Sequence, residues 1–171
     1  MRWIVLLVVG VLTVAILTPR SVEAQISLNV SACKKFEPGV QEGYFSLRYN
    51  LCGIQFTIKD AYVGLVAHFR NVQEYTRVTV ELLDPDQASV WKIDRTYEVT
   101  GGMYYPNIWV WGILPVGADV AAIATENVRL TGNIIKMTDK PAAERPGEWT
   151  LRVRADRAGA RTMKFMLQAV P

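Results

Sequence analysis

Apolar and polar residues alternate with a period of two along most of the chain beyond residue 25. Between residues 61 and 70, every second position belongs to an apolar row, which consists of Ala61, Val63, Leu65, Ala67 and Phe69. The alternate positions, which include His68 and Arg70, form the more polar side of the same segment. This period is typical of a β-strand that buries one face and exposes the other. The segment therefore predicts a half-buried strand with His68 on its polar face.

The same alternation recurs in several other segments, which cover residues 26–30, 44–51, 77–82, 91–99, 149–155 and 163–169. Turn signals lie between them: Asp84-Pro85-Asp86-Gln87 separates two of the strand patterns, and Pro146-Gly147-Glu148 precedes the penultimate one. Helical periodicity is nearly absent, and one short candidate at residues 119–126 does not change the class. Several short strands joined by turns predict an all-β sandwich.

Two segments carry a resemblance to a known class of domain. Residues 77–86 followed by Val90-Trp91 form a strand, a turn and a strand, and Pro146-Gly147-Glu148-Trp149 opens a closing hairpin that ends beyond Lys164-Phe165. Together they resemble the immunoglobulin-like sandwich modules of bacterial exported and cell-surface proteins. In those modules a Pro-Gly-x-Trp turn precedes the penultimate strand, and its tryptophan packs into the core. The resemblance implies an immunoglobulin-like antiparallel β-sandwich that serves as a binding or structural module, not as an enzyme.

The N-terminal segment has the order of features found in secretory signal peptides. Met1-Arg2-Trp3 supplies a positive charge, residues 4–17 are an uninterrupted apolar run, and Val22-Glu23-Ala24 ends in a small residue. The run is shorter than the roughly 20 apolar residues that a membrane-spanning helix needs. We therefore expect residues 1–24 to be a signal peptide and residues 25–171 to be a single domain, periplasmic or extracellular, without a membrane span. Retention of the segment as an N-terminal anchor is the open alternative.

Net charge argues against one class of partner. The chain carries a formal charge of +3, and loss of Arg2, Arg20 and Glu23 with the signal peptide brings the domain closer to neutrality. A nucleic-acid-binding domain of this size usually carries a strongly basic patch or a high overall positive charge. Nucleic acid is therefore not an expected partner.

The two cysteines, Cys33 and Cys52, are expected to form a disulfide, because export places them where disulfides persist. The loop that they close would stabilise the fold by about 3 kcal/mol on a loop-entropy argument. A metal pair is the alternative, but His68 is the sole histidine and no further cysteine lies at ligand spacing. No metal or other cofactor is expected.

The most suggestive candidate site lies around residues 103–111. Trp109 and Trp111 share one face of a predicted strand, and Tyr104 and Tyr105 come just before it. Exposed aromatic side chains stack on sugar rings and are enriched at protein interfaces. Two interpretations stay open: these residues form a glycan-binding or partner-binding surface, or the two tryptophans face the core.

A second candidate is the basic face of the closing hairpin, where alternation places Arg152, Arg154 and Lys164 on one side. Such a row suits an acidic glycan, a phospholipid headgroup or an acidic partner. The alternative is a solvated face that discourages edge-to-edge aggregation.

Motifs for catalysis are absent from the sequence: it has no Gly-x-Ser-x-Gly, no His-Glu-x-x-His and no glycine-rich phosphate loop. Asp84 and Asp86 could serve as calcium ligands, but their position in a turn is the simpler explanation for both residues. We therefore expect a non-catalytic exported module that mediates protein–protein interaction or assembly. A carbohydrate-binding module that uses the aromatic residues 104–111 is the alternative.

Overall fold

The computed structural model describes residues 26–41, 44–72, 75–97, 105–117, 123, 132–156 and 158–170. The proposed signal peptide, Tyr104 and most of the candidate helix lie outside these residues. The nine strands found among these residues are β1 (Ser27–Gln41), β2 (Tyr44–Cys52), β3 (Gln55–Thr57), β4 (Tyr62–Val72), β5 (Thr76–Leu83), β6 (Ser89–Tyr97), β7 (Tyr105–Pro115), β8 (Gly147–Ala155) and β9 (Gly159–Gln168). A short 3-10 helix, Ala142–Glu144, precedes β8. No helix among the described residues is long and apolar enough to cross a membrane.

The strands form two sheets, with strand orders β2-β1-β4-β7 and β3-β9-β8-β5-β6. The chain crosses between the sheets after β2, β3, β4, β6 and β7, so five of the eight connections pass from one layer to the other. Strands β5 and β6, and likewise β8 and β9, are antiparallel neighbours, whereas β3 runs parallel to β9. This order, with the short strand β3 parallel to the last strand, is that of an immunoglobulin-like sandwich. The predicted fold class is confirmed, and β3 with β9 is the one parallel pair among the named strands.

The main core lies between the two sheets, and the tryptophan of the Pro-Gly-x-Trp turn is at its centre. Trp149 is fully buried, its ring stacks on Phe165 at 6.2 Å between centroids, and its Nε1 donates a hydrogen bond to the Arg145 carbonyl at 3.1 Å. Trp91 of β6 reaches the opposite sheet over Gly112, where a Cβ atom would lie 2.9 Å from its ring. The absence of a side chain at Gly112 therefore lets the two sheets approach at this point.

A second apolar cluster covers the outer face of the four-stranded sheet. It consists of Cys33, Phe36, Leu47, Tyr62, Val66, Trp111, Ile113 and Ile123. Strand β4 is consequently buried on both faces from Tyr62 to Phe69, and His68 is only 7% exposed. The prediction of a half-buried β4 was wrong, because β4 is a central strand with an apolar layer on each side. Its nearly continuous apolar sequence is the pattern expected for such a strand.

Candidate interaction surface

The Cys33–Cys52 disulfide fixes one end of the four-stranded sheet. The two cysteines are directly opposed in the antiparallel pair of β1 and β2, and they are bonded in the structure as predicted. Cys33 is fully buried in the outer apolar cluster, whereas Cys52 lies at the surface. The disulfide therefore anchors the end of β2 to the interior at the point where the chain leaves this sheet.

The segment that follows crosses to the other sheet and is held at two further points. The backbone N–H of Gly53 donates to the carbonyl of Ala32 at 3.0 Å, and the N–H of Met166 donates to the carbonyl of Ile54 at 2.7 Å. One bond ties the segment to β1 and the other ties it to β9. Residues 51–54, which comprise the last two residues of β2 and the two that lead to β3, thus follow a fixed path, and we call them the connection.

This fixed connection presents large apolar side chains to solvent. Leu51 is 71% exposed, Ile54 is 63% exposed, and Met166 on the adjoining strand is 37% exposed. Leu51 and Ile54 lie three residues apart in the chain, and the backbone of Ile54 is hydrogen-bonded to that of Met166, so we call these three residues the apolar patch. Leu51 also has a φ of 55°, in the left-handed region that residues other than glycine avoid at a cost of about 1–2 kcal/mol. An exposed leucine held in that conformation is unfavourable for the free domain on both counts.

Ion pairs lie on the strands around the apolar patch. Lys34, next to Cys33, pairs with Asp60 at 2.9 Å, and Lys164 pairs with Glu148, which is directly opposite Met166, at 2.7 Å. A third pair on β1 joins Lys35 to Glu37 at 3.0 Å. An apolar centre with a polar, ion-paired periphery is the usual anatomy of a protein–protein interface.

Asp60 is the most constrained carboxylate in this periphery. Its side chain accepts hydrogen bonds from the Thr57 backbone N–H at 2.8 Å and from Lys34 Nζ at 2.9 Å. Partial burial opposes ionisation of Asp60, but these bonds and the charge of Lys34 outweigh it and hold its pKa below the ordinary 3.8. The carboxylate therefore fixes the turn after β3 and the lysine next to the disulfide at the same time.

The aromatic candidates lie elsewhere, on the outer face of the four-stranded sheet. Trp109 is half-buried and stacks on His68 at 4.8 Å between ring centroids. Trp111 is 7% exposed and packs edge-on against Phe36 at 6.2 Å. The backbone of Tyr105 lies in β7, and Tyr104 is outside the described residues. The two tryptophans share a face as the alternation predicts, and Trp111 belongs to the outer apolar cluster.

The basic candidates are exposed on the outer face of the five-stranded sheet. Arg152 lies opposite Glu81 of β5, and Lys164 pairs with Glu148. Arg154 is also exposed, two residues farther along β8. Acidic neighbours thus partly neutralise the row.

An open cleft of about 450 Å³ lies at the end of the five-stranded sheet, where the β5–β6 turn meets the segment before β8. Asp84 is buried there: Arg145 donates to its Oδ2 at 2.6 Å, and the Ala88 backbone N–H donates to its Oδ1 at 2.8 Å. One carboxylate oxygen therefore holds the turn and the other holds the segment before β8. The described residues contain no group of three or more His, Cys, Asp or Glu side chains that could hold a metal ion. The Asp84–Arg145 pair thus links the β5–β6 turn to the Pro-Gly-x-Trp segment, the two parts of the sequence that resemble immunoglobulin-like modules.

The sequence did not single out Leu51, Ile54 or Met166. One signal for the first two was present, because leucine and isoleucine flank Cys52-Gly53, where a connection between sheets usually carries polar residues. Met166 had no such signal. It occupies the outward side of β9 next to β3, and its proximity to Ile54 follows from the parallel pairing.

Comparison with known proteins adds little to this geometry. No protein-family model and no curated protein matches the chain. Among solved structures, the chain is similar to an immunoglobulin-like protein from Pseudomonas aeruginosa, with 12% sequence identity and a TM-score of 0.38 over 86% of this chain and 99% of that chain. At this level the similarity carries no argument about function, and the assignment of an immunoglobulin-like sandwich rests on the strand order.

Proposed function

We propose that the chain is an exported, non-catalytic immunoglobulin-like module that binds another protein outside the cytosol through the apolar patch. The observation that supports this most directly is the exposure of Leu51 and Ile54 on a connection fixed by a disulfide and two backbone hydrogen bonds. Exposed apolar side chains that are grouped rather than scattered mark interaction sites in soluble domains.

The energetics favour a partner that buries both residues. Covering an exposed leucine or isoleucine contributes about 1.5–3 kcal/mol for each side chain. Because the connection is already fixed, little conformational entropy remains to be lost on binding. A rigid patch of this kind suits a protein groove lined by apolar side chains.

Export and the lack of catalysis rest on the sequence. The first 24 residues have the features of a signal peptide, and a disulfide is typical of proteins outside the cytosol. The sequence carries none of the nucleophile, metalloprotease or phosphate-binding motifs sought in it.

The proposal is tested by affinity capture and cross-linking from the exported fraction of the source cells. The wild-type domain is compared with the L51S/I54S variant and with Tyr75→Ser, which removes a comparably exposed side chain from another loop. We expect one defined partner with the wild type and Tyr75→Ser, and at least tenfold less of it with L51S/I54S. Equal recovery of the same proteins by all three chains contradicts the proposal.

A carbohydrate-binding role is the second candidate, and Trp109 is the observation that favours it. Its half-buried ring lies on β7, directly opposite His68 of β4, and His68 in turn lies opposite Asn29 of β1. A polar side chain, that of Asn29, is therefore two strands away from Trp109 on the same row across the sheet. Titration of tryptophan fluorescence with a panel of glycans separates the two functions. A saturable change that is lost in Trp109→Ala favours glycan binding, and complete insensitivity excludes it.

A further inference from the structure

Strand β6 is the terminal strand of the five-stranded sheet, at the end opposite β3. It is nine residues long and contains neither proline nor glycine. Its pairing with β5 is regular from Trp91 to Tyr97, and the single irregularity lies at its start, where the register shifts between Leu82 and Leu83. No other strand pairs with its outer edge in the part of the chain that the structure describes. Long, regular edge strands of this kind are ready templates for pairing with another strand.

The outer face of this sheet carries a row of alternating charge that ends at β6. Arg152 of β8 lies opposite Glu81 of β5, and Glu81 lies opposite Lys92 of β6. Asp94, the next outward residue of β6, accepts two hydrogen bonds from Arg77 at 2.8 and 2.6 Å. A strand added at this edge is favoured if it places a negative charge opposite Lys92 and a positive charge opposite Asp94.

Strand β6 itself meets both requirements. We propose that the β6 strand of a second copy of this chain pairs with β6 in antiparallel orientation. The twofold axis of this pair passes between Ile93 of one copy and Ile93 of the other. In this register Lys92 of each copy lies opposite Asp94 of the other, so the charge row continues across the axis. On the inner face Trp91 of each copy lies opposite Arg95 of the other, which allows a cation–π contact. The interface is isologous, as expected for a twofold dimer.

Neighbouring registers are less favourable. An axis at Lys92 or at Asp94 places that charged residue directly opposite its own copy, and like charges that face each other across two strands are destabilising. An axis midway between two residues is excluded, because directly opposed residues of a continuous sheet lie on the same face. The charge pattern of β6 therefore selects the register at Ile93.

The proposal concerns a different surface from the apolar patch. The patch adjoins β3 and β9, whereas β6 lies at the far edge of the same sheet. Partner capture through Leu51 and dimerisation through β6 are measured separately, so failure of either proposal leaves the other standing.

The test uses two variants that carry opposite charges at the edge. Lys92→Asp leaves two acidic residues on the outward side of β6, and Asp94→Lys leaves two basic residues there. In each homodimer like charges now face each other twice, so we expect dimerisation to weaken by roughly tenfold or more in sedimentation equilibrium. An equimolar mixture of the two variants pairs opposite charges again, and we expect it to regain the wild-type dimer.

Matched controls place the same charge changes away from the edge. Arg154→Asp and Glu148→Lys alter exposed residues of β8, which is separated from β6 by β5, and they are expected to dimerise like the wild type. The mixture also guards against misfolding, since a misfolded variant gives no heterodimer. A wild-type domain that stays monomeric at every concentration overturns the proposal. So do charge variants that dimerise like the wild type, or a mixture that stays monomeric.

Discussion

At the scale of single residues, the Asp84–Arg145 pair decides how the β5–β6 turn joins the segment before β8. The side chains of Arg145 and Asp84 are 15% and 3% exposed, and their closest N–O distance is 2.6 Å. The other oxygen of Asp84 accepts a hydrogen bond from the Ala88 backbone N–H at 2.8 Å, so both carboxylate oxygens are hydrogen-bonded within the protein. Removing one charge of a buried ion pair leaves the other charge buried without its partner, and this lowers the stability of the fold strongly.

We therefore expect Asp84→Asn to lower the free energy of unfolding by about 3 kcal/mol, measured by urea denaturation. The control is Glu148→Gln, which breaks an exposed pair with Lys164 and should cost less than about 1 kcal/mol. Equal effects of the two substitutions would show that burial of the Asp84 pair does not matter.

Asp60 gives a prediction about pH. Because its folded-state pKa lies below 3.8, its carboxylate stabilises the fold fully above that value. The contribution is lost as the pH falls through the lowered folded-state pKa. The difference in unfolding free energy between wild type and Asp60→Asn should therefore be largest near neutral pH and shrink in acid below pH 3.8. A difference that is independent of pH contradicts a role for the charge of Asp60.

At the scale of elements, the disulfide and the end of β2 act as one unit. Without the bond between Cys33 and Cys52, the unfolded chain gains the freedom of the loop between them, so C33A/C52A should lose about 3 kcal/mol. The loss is measured against the oxidised wild type by thermal or urea unfolding.

The same variant should bind the captured partner more weakly, because the connection that carries Leu51 and Ile54 loses one of its three anchors. Unchanged stability in C33A/C52A would indicate that backbone pairing alone holds this end of the sheet.

The sequence predicted the elements better than it predicted their surroundings. Alternation placed Trp149, Phe165 and Leu167 on the buried face of the closing hairpin, because a strand with one solvated face has a period of two. For β4 the same argument failed, since an outer apolar layer that includes Trp111 and Ile123 comes from segments distant in the sequence. The apolar patch was missed for a related reason: Ile54 and Met166 meet only through the crossing to β3 and its parallel pairing with β9.

At the scale of the whole molecule, the two proposed surfaces lie at opposite edges of one sheet. The apolar patch adjoins β3 and the dimer edge is β6, with three strands between them. A twofold axis at Ile93 perpendicular to the sheet joins two five-stranded sheets into one and carries a patch to each outer end. At a strand spacing of about 4.8 Å, the two patches lie roughly 40 Å apart. The dimer would present two rigid binding sites with a fixed separation.

Such a dimer should bind a surface-attached partner more tightly than a monomer does, because the second contact forms within one complex. Once a partner is captured, binding of the wild type and of Asp94→Lys is compared on sensor surfaces of high and low partner density. On the dense surface we expect at least a tenfold higher apparent affinity for the wild type. On the sparse surface both chains should bind alike, since each single patch is unaltered. A tenfold difference that persists at low density would mean that Asp94 contributes to the patch itself, and equal binding at both densities would mean that the two patches do not act together.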